Sequence, residues 1–448
     1  MADETSSFLK FFLGCKWRFK RATREKIEQY QLKNARNVVQ FAVENAPFFK
    51  RHFDGHDIKD VWSLPTTNKK VMMDNLSEYT TLGFKKDEML DFLLRVEKEK
   101  DFNTRFYGNS LAMSSGTSGS KGVVLTTPKE EKYLQAAFFA RFPFPRTLKL
   151  NWAFILRITA PAFNVSKFGQ RLTYISLLKP IEEIRRELEA LNPNILSAPP
   201  SMLQIISREL DAGRLNIYPK RVVSYAEVLS SDVNVELERI FGKKIFQIYQ
   251  SSEGPIGMPC GKGSLHLNED LMCVQTLDSE GNPTPPGKPC YKLIVTDLHK
   301  KSQPVIRFEL NDIIIISPEQ CECGSQFRVV QDIMGRSDDM YWGQREDNDE
   351  YQYIFPDYIR RAIITSGDEI DDYQAVQKNF TNILVRLVLE PGIKDHEAIN
   401  ELIVKNIQEV FTSYNCVKPD VEILHEPPIK NPNSMKLIRI QRNFKFDK

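Results

Sequence analysis

Hydrophobic positions along the chain follow two different patterns. Residues 25–45 carry apolar side chains at helical spacing, and this segment ends before Pro47. From about residue 150 onward, short apolar runs typical of strands alternate with amphipathic runs typical of helices. In residues 181–191, for example, apolar side chains recur every three or four positions and lie on one helical face. This alternation predicts a parallel sheet with helices on both of its faces.

The pattern changes after residue 270. Residues 271–317 contain short apolar runs separated by turns, which predict a small antiparallel β-region. After Gly335, strand-like and helical segments are mixed, which is typical of a compact α+β domain. We therefore expect an α/β protein with a large N-terminal domain, residues 1–335, in which helices cover parallel sheets and a small β subdomain follows. Residues 336–448 are expected to form a small C-terminal α+β lid.

Composition limits the classes of function. With 448 residues, of which 41% are hydrophobic, the chain is long enough for a large core. Its formal net charge of +2 argues against nucleic acid or another polyanion as partner. No run of about 20 apolar residues is present to span a membrane, and no cleavable signal pattern is found. Seven unevenly spaced cysteines do not resemble a disulfide framework, so we expect a reduced, cytoplasmic protein.

The N-terminal segment mixes aromatic and basic residues. Residues 8–24 include Phe8, Phe11 and Trp17 among several lysines and arginines. We expect an amphipathic helix that packs on the body of the protein and extends its basic side chains into water. The alternative is a weak peripheral contact with a membrane surface.

Residues 113–127, with the sequence MSSGTSGSKGVVLTT, concentrate hydroxyl groups and glycines between two apolar runs. Dinucleotide-binding turns and P-loops also contain glycine at fixed spacing, but both open a helix. Here a strand-like run follows at residues 123–125, so we expect the order strand, loop, strand. By itself, a segment of this kind fits a flexible surface hairpin as well as a functional loop.

Further stretches in the second half of the chain decide between these interpretations. They are YQSSEGPIG at 249–257, QPVIRFELND at 303–312, IMGRSDDM at 333–340 and NPNSMKLIRI at 431–440. In this order and spacing, and together with residues 113–127, they resemble the adenylate-forming superfamily of acyl-CoA synthetases, adenylation domains and luciferases. Within it they look most like the phenylacetate-CoA ligase branch, which includes the coenzyme F390 synthetases. The resemblance extends from about residue 28 to the end of the chain.

This resemblance implies a ligase that activates a carboxylic acid with ATP. The acid would form acyl-AMP with release of pyrophosphate, and the acyl group would then pass to CoA. Phe163, Tyr225 and Ile256 lie in stretches expected to line the acid pocket, and they favour an aromatic or apolar acid. Two alternatives stay open. The acyl group is delivered to an amine, a hydroxyl or a carrier-protein thiol, or the chain is a non-enzymatic relative that binds nucleotide.

The resemblance also implies roles for individual residues. Glu253 is expected to hold the Mg²⁺ that bridges phosphate oxygens, which suits a hard cation. Asp312 is expected to bind the ribose hydroxyls, and Lys436 to be the catalytic lysine that stabilises charge on the transferring phosphate. Arg336 is expected beside the nucleotide, and Asp338 at the hinge of the lid.

The glycine-rich segment then becomes the phosphate loop. Backbone N–H groups and hydroxyls of such a loop can reach phosphates at little steric cost, and Lys121 adds a catalytic positive charge. The residues expected to contact ATP or AMP are Ser114, Ser115, Gly116, Thr117, Ser118, Gly119, Tyr249, Ser251 and Ser252. Two positions depart from the family pattern: Asn311 precedes Asp312 where the family has glycine, and Met435 precedes Lys436 where the family again has glycine.

A second set of residues is independent of ATP. Cys260 and His266 lie in the stretch CGKGSLH, and Cys321 and Cys323 lie in CECG. Three thiols and one imidazole match the tetrahedral ligand set of structural zinc. The Cys-x-Cys spacing is tighter than a usual zinc knuckle, but some members of the phenylacetate-CoA ligase branch carry the same pattern. We therefore expect a structural Zn²⁺ at these four residues.

Overall fold

The computed structural model describes residues 2–99, 101, 104–113, 122–156, 165–167, 170–177, 179–348, 350–367, 369–393, 396–430, 437–444 and 446. These residues form two compact units. The large unit contains the described residues up to 113 together with those in 122–310 and 315–333. The small unit contains residues 311–314 and the described residues from 334 onward.

The helices of the large unit are α1 (Ala2–Arg21), α2 (Arg24–Asn45), α3 (Pro47–His52), α4 (Lys69–Asp74), α5 (Leu76–Tyr79), α6 (Lys86–Glu99), α7 (Pro128–Arg141), α8 (Ile181–Leu191), α9 (Pro200–Asp211) and α10 (Ser231–Phe241). Its strands are β1 (Ser110–Met113), β2 (Val123–Thr126), β3 (Leu150–Leu156), β4 (Val165–Lys167), β5 (Gln170–Ser176), β6 (Ile195–Ala198), β7 (Arg221–Ser224), β8 (Ile245–Gln247), β9 (Gly257–Pro259), β10 (Leu265–Leu267), β11 (Met272–Leu277), β12 (Lys292–Asp297) and β13 (Phe308–Leu310). Next along the chain come β14 (Asp312–Ile316) and β15 (Val329–Arg336).

A six-stranded sheet is the centre of the large unit. Its strand order is β4-β5-β3-β6-β7-β8, and only the pairing of the edge strand β4 with β5 is antiparallel. Alternate residues of β3 face opposite sides, so Ala153 packs among α8, α9 and α10 while Trp152 packs beside Phe138 of α7. Helices therefore cover both faces of the sheet, as the alternating pattern predicts.

Local sequence signals explain where the helices begin and end. α7 starts with a capping box in which Thr127 and Glu130 exchange side-chain and backbone hydrogen bonds, and Pro128 occupies its first position. α8 ends at Asn192 and α10 ends at Gly242, both in the left-handed region with φ of 43° and 64°. These ends bring the chain back to the sheet after each helix.

Smaller antiparallel sheets complete the large unit. β1 and β2 pair with each other, with Met113 opposite Val123, so the strands predicted before and after residues 114–121 are confirmed. β11, β12 and β13 form the small β-region predicted for residues 271–317. β9 and β10 form a hairpin in a second small sheet with the order β14-β15-β10-β9.

The N-terminal helix packs on the body of the large unit, as expected. Phe11 contacts Tyr133 of α7 with ring centroids 4.7 Å apart, and Phe19 contacts Phe327 at 5.4 Å. Cys15, on the same face of α1, is fully buried. Among the described residues, no helix has the length and apolar character needed to cross a membrane.

Two buried carboxylates join several elements of the large unit. Glu269 and Asp270 are both fully buried. Four arginines surround them: Arg18 of α1 and Arg141 of α7 bind Asp270, while Arg24 of α2 and Arg328 bind Glu269. We call these six residues the buried charge network.

The small unit has its own core. Its helices are α11 (Pro356–Ile364) and α12 (His396–Ser413), and its strands are β16 (Tyr341–Gln344), β17 (Tyr351–Ile354), β18 (Ile370–Gln377), β19 (Asn382–Leu389), β20 (Asp420–Leu424) and β21 (Ile440–Arg442). The sheet has the order β20-β19-β18-β21, and its apolar face packs on Ile359 of α11 and on Ile403, Ile407 and Phe411 of α12. The helices and strands predicted in this part of the chain are present, with ends shifted by no more than a few residues.

Candidate functional site

A tight turn follows the carboxyl end of β8. Tyr249 N donates to Gly257 O at 3.0 Å and Gly257 N donates to Tyr249 O at 2.8 Å, which closes a hairpin. Within it, Ser251 N donates to Gly254 O at 3.1 Å. The hairpin therefore presents Ser252 and Glu253 at its tip. Carboxyl ends of parallel strands are the usual position of ligand sites in α/β proteins.

The Glu253 side chain is held by its neighbours in this turn. Its carboxylate accepts a hydrogen bond from Ser252 Oγ at 2.9 Å, and its backbone N–H donates to Ser251 Oγ at 3.2 Å. Gly254 packs closely on Met272, since a Cβ there would lie 2.9 Å from the methionine sulfur, and any larger residue would have to displace that side chain. Glu253 is half-buried, so its second carboxylate oxygen can reach a ligand.

The turn lines a cleft of about 650 Å³, a volume that includes space open to solvent. Residues 250–255 form one wall, and residues of β2 and α7 form another. The segment after β12, residues 297–300, supplies Asp297, His299 and Lys300 to the same cleft. Three of its walls thus carry groups able to bind charged or polar ligand atoms.

The segment after β12 is held by Asp297. The Oδ1 atom of Asp297 accepts hydrogen bonds from His299 N at 2.7 Å and from Lys300 N at 2.8 Å. Burial raises the pKa of Asp297 and lowers the pKa of His299 to about 4, so this imidazole is neutral at pH 7. Burial also lowers the pKa of Lys300. None of these three residues was predicted as a site residue, because the stretch VTDLHKK resembles a strand that ends in an ordinary charged turn.

Glu130 joins this segment to α7. Its carboxylate accepts hydrogen bonds from Lys301 N at 2.7 Å, Ser302 N at 2.9 Å, Ser302 Oγ at 2.7 Å and Thr127 N at 2.8 Å. Burial alone would raise the pKa of Glu130, but the hydrogen bonds from Ser302, Thr127 and Lys301 outweigh it and hold that pKa below its usual value. The spacing of Thr127 and Glu130 is a signal for the helix cap, but nothing local marks the contact with residues 301–302.

Two of the predicted nucleotide-binding residues lie together in the small unit. Arg336 Nε is 3.5 Å from Asp312 Oδ1, and Ser337 N donates to Asn311 O at 2.6 Å. Asp338 lies in the 3₁₀ turn Ser337–Asp339. The stretches 303–312 and 333–340, chosen from the sequence, therefore meet at their ends.

Some predicted site residues lie outside the described residues, and their roles stay predictions. They are Ser114, Ser115, Gly116, Thr117, Ser118, Gly119, Lys121 and Lys436, together with Phe163, which is predicted to line the acid pocket.

The four predicted zinc ligands converge in the large unit. The ligand atoms of Cys260, His266, Cys321 and Cys323 all lie within 4.8 Å of one another. Cys260 Sγ is 3.8 Å from Cys321 Sγ, and Cys323 Sγ is 3.4 Å from His266 Nε2. A tetrahedral zinc ion with Zn–S bonds of about 2.3 Å separates two sulfur ligands by about 3.8 Å. The spacing of the donor atoms therefore fits a zinc ion.

Hydrogen bonds around the cluster orient its ligands. His266 Nδ1 lies 2.8 Å from Phe327 O, so this nitrogen carries the proton and Nε2 is left to face the thiols. Burial lowers the pKa of His266, which favours the neutral imidazole. Backbone N–H groups of Lys262 and Cys323 donate to the sulfurs of Cys260 and Cys321 at 3.3 and 3.4 Å.

No family model matches the chain. A phenylacetate-coenzyme A ligase of Thermus thermophilus is 24% identical over 379 residues, which cover 79% of this chain and 78% of that protein. The chain is a homologue of phenylacetate-CoA ligase. Protein CapK of Staphylococcus aureus is also 24% identical, over 221 residues that cover 48% of this chain and 46% of CapK.

Solved structures of CoA ligases share the fold of this homologue. A 2-hydroxyisobutyryl-CoA ligase, solved in its postadenylation state with an acyl-AMP, matches with a TM-score of 0.69 and 14% identity over 95% of this chain and 91% of its own. An anthranilate CoA ligase, solved with anthranoyl-AMP, matches with a TM-score of 0.52 and 14% identity over 73% of this chain and 65% of its own. The predicted resemblance to the adenylate-forming ligases and the predicted fold class are confirmed.

Proposed function

We propose that this phenylacetate-CoA ligase homologue is an AMP-forming acid–thiol ligase. A carboxylate oxygen of the acid attacks the α-phosphorus of ATP, and pyrophosphate leaves. The thiol of CoA then attacks the acyl carbon, and AMP leaves with the bonding electrons. The observation that carries the proposal is homology to phenylacetate-CoA ligase over 79% of the chain. In this chain, the Ser252–Glu253 turn after β8 lines a cleft.

CoA is the acceptor we propose, because the Thermus relative and the two solved structures named above are CoA ligases. The acid that we propose is aromatic or apolar, on account of Tyr225 and Phe163. Transfer to an amine, a hydroxyl or a carrier protein is the alternative that the test below also reports.

Glu253 is the residue that we propose to hold Mg²⁺. The chemistry of the donors fits, since Mg²⁺ takes oxygen ligands and usually keeps one or two carboxylates plus substrate phosphates. The Glu253 carboxylate is half-buried in the cleft and has the Ser252 hydroxyl at 2.9 Å as its partner. Bound there, the ion would supply positive charge to the phosphates of ATP.

The first prediction tests this role. The protein should catalyse acid-dependent exchange of pyrophosphate into ATP when supplied with Mg²⁺ and aryl or fatty acids. Glu253→Gln keeps the shape of the side chain but removes its charge. Loss of a residue that only supports a metal ligand typically lowers metal affinity roughly 10- to 100-fold. Glu253→Gln should therefore raise the Mg²⁺ concentration needed for exchange by at least that factor. The measurement is the Mg²⁺ dependence of exchange, repeated with CoA and with amines as acceptors.

The exposed Glu280→Gln provides the matched control and should exchange at the parent rate. A Glu253→Gln protein with an unchanged Mg²⁺ dependence would remove Glu253 from the site.

We further propose that residues 336–448 act as a mobile lid that carries Lys436. In one pose the lysine would stabilise charge that builds on the α-phosphate, and in a second pose the lid would present another face to the acceptor. The support is the hinge resemblance at residues 333–340, where Gly335 has a φ of 111° that favours glycine.

The second prediction separates the two half-reactions. Lys436→Ala should slow acyl-AMP formation by about 10²–10³-fold, because it removes a charge useful mainly in the transition state. The same variant should convert supplied acyl-AMP to product at the parent rate. Single-turnover assays of both steps are the measurement. Lys430→Ala removes an exposed lysine six residues away in sequence and is the control for loss of charge alone. An equal loss of both half-reactions in Lys436→Ala would contradict the proposed roles.

We propose that Cys260, His266, Cys321 and Cys323 bind a structural Zn²⁺. All four positions are taken by protein side chains, so no position stays open for substrate. The ion would fasten the β9–β10 hairpin to residues 321–323. Thiol ligands must stay reduced, and for this reason we place the protein in the cytoplasm.

The third prediction concerns metal content. The protein, purified without chelators, should contain about one zinc ion per chain by elemental analysis. Cys321→Ser and Cys323→Ser should lose most of that zinc and melt at a lower temperature, since metal binding contributes to folding. Cys290→Ala, outside the cluster, should retain it. Parent protein free of zinc would refute the assignment.

We propose a peripheral membrane contact for the outer face of α1. Leu9 and Leu13 are each 53% exposed and Trp17 is 48% exposed, although the opposite face of the helix already packs on the protein. Lys10, Lys16, Lys20 and Arg21 are exposed around them. Lysine is depleted in protein–protein interfaces, whereas tryptophan with flanking bases is typical of a membrane interface. An anionic lipid surface therefore fits this face better than a protein partner.

The fourth prediction uses lipid vesicles. The protein should sediment with vesicles of phosphatidylcholine containing phosphatidylglycerol, more weakly with phosphatidylcholine alone, and less as salt is raised. The double variant Leu13→Ser/Trp17→Ser should lose this binding. Tyr218→Ser removes another exposed aromatic ring, 79% exposed, and should bind as the parent does. Equal sedimentation of the parent with and without vesicles would exclude the contact.

A further inference from the structure

Lys300 is a buried lysine in the cleft that also contains Glu253. Its residue is only 9% exposed, and its backbone N–H is held by Asp297 Oδ1 at 2.8 Å. It lines the cleft together with Ser252 and Glu253. Burial of an ammonium group in this way is unfavourable unless a partner supplies negative charge.

Asp297, Glu130 and Glu253 lie close enough to act on Lys300 electrostatically, but none of them forms a direct ion pair with it. Within the described part of the chain, the Lys300 ammonium group makes no hydrogen bond or ion pair. Glu130 accepts hydrogen bonds from Thr127, Lys301 and Ser302, so its oxygens are engaged elsewhere. The Oδ1 atom of Asp297 is engaged by two backbone N–H groups. Lys300 therefore lines the cleft without a direct ion pair to any described residue, which leaves its ammonium group available to a ligand there.

We propose that Lys300 binds an anionic phosphate oxygen in this cleft, on the polyphosphate of ATP and on the pyrophosphate that leaves. The inference rests on the proposed ligase function and assigns to it a further substrate-binding residue. A polyphosphate carries several negative charges, so it repays the desolvation of a lysine more fully than a single carboxylate does. Lys300 and a cation held at Glu253 would bind the same group from different walls of the cleft.

The backbone around Lys300 is held on both sides. Asp297 holds residues 299 and 300, and Glu130 holds residues 301 and 302, so the backbone on both sides of the ammonium-bearing residue is anchored by buried carboxylates. A lysine on an anchored backbone loses less conformational freedom on binding than a surface lysine does. This arrangement is preorganised for a ligand.

A structural role would have different consequences. If Lys300 stabilised the fold through an ion pair, its removal would leave a buried carboxylate unpaired and would destabilise the protein. If Lys300 awaits a phosphate, its removal takes away an unpaired buried charge, so the free protein should be equally or more stable. If the role is structural, removing Lys300 lowers the stability of the protein. If Lys300 binds phosphate, its removal weakens phosphate binding without lowering stability.

The test measures calorimetric binding of magnesium pyrophosphate and magnesium ATP without any acid, so that the identity of the acid does not matter. Lys300→Met should weaken both by about tenfold or more, the loss expected for one charge-assisted hydrogen bond, with an equal or higher melting temperature. Lys300→Arg, which keeps the charge, should bind more tightly than Lys300→Met. Lys301→Met removes the neighbouring exposed lysine and should bind as the parent does.

Three results would overturn the proposal. Parent-like binding of pyrophosphate and ATP by Lys300→Met would remove Lys300 from the phosphate site while leaving the ligase function intact. A raised KM for the acid with unchanged pyrophosphate binding would assign Lys300 to the carboxylate instead. A parent protein that binds neither magnesium ATP nor magnesium pyrophosphate would refute the ligase function as well.

Discussion

The large unit depends on two adjacent carboxylates that have no contact with water. Glu269 and Asp270 are fully buried, and arginines from α1, α2, α7 and residue 328 neutralise them. Removing one partner of a buried ion pair costs about 3–5 kcal/mol, because a charge is left without compensation. The network therefore fixes where α1, α2 and α7 lie against the β-region. It also explains why α1 belongs to the body of the protein although its outer face is exposed.

Residues 266–270, which include the two buried carboxylates, also contact the candidate site. Three residues before Glu269, His266 belongs to the cysteine–histidine cluster. One residue before it, Asn268 donates to Pro255 O at 2.9 Å through its side chain and to Ile256 O at 2.8 Å through its backbone. These two carbonyls lie directly after the turn that presents Glu253. A stretch of only a few residues thus connects the buried charges, the cysteine–histidine cluster and the turn that lines the cleft.

Sequence patterns predicted the parts of this structure that depend on nearby residues. The helices at 181–191 and 356–364 and the strands around 372–390 follow from local periodicity, and the cysteine–histidine cluster follows from residue type and spacing. The buried roles of Glu130, Asp297 and Lys300 had no such signal. The role of Glu130 depends on hydrogen bonds from residues 301–302, which are distant in sequence. Lys300 differs from other lysines only because the fold buries it. Such roles arise from contacts between residues far apart in the chain.

Asn311 precedes Asp312 at a position where the predicted resemblance leads one to expect glycine. A glycine is needed where φ is positive or where the backbone has no room for Cβ. Positive φ among the non-glycine residues described occurs at Tyr107, Asn192, Ala226, Arg307 and Asn415, and Asn311 is not one of them. The backbone at this position therefore accepts an L-residue without strain. Asn311 O still accepts a hydrogen bond from Ser337 N at 2.6 Å, and Asp312 still lies 3.5 Å from Arg336. An asparagine at this position is therefore compatible with the contact between Asp312 and Arg336.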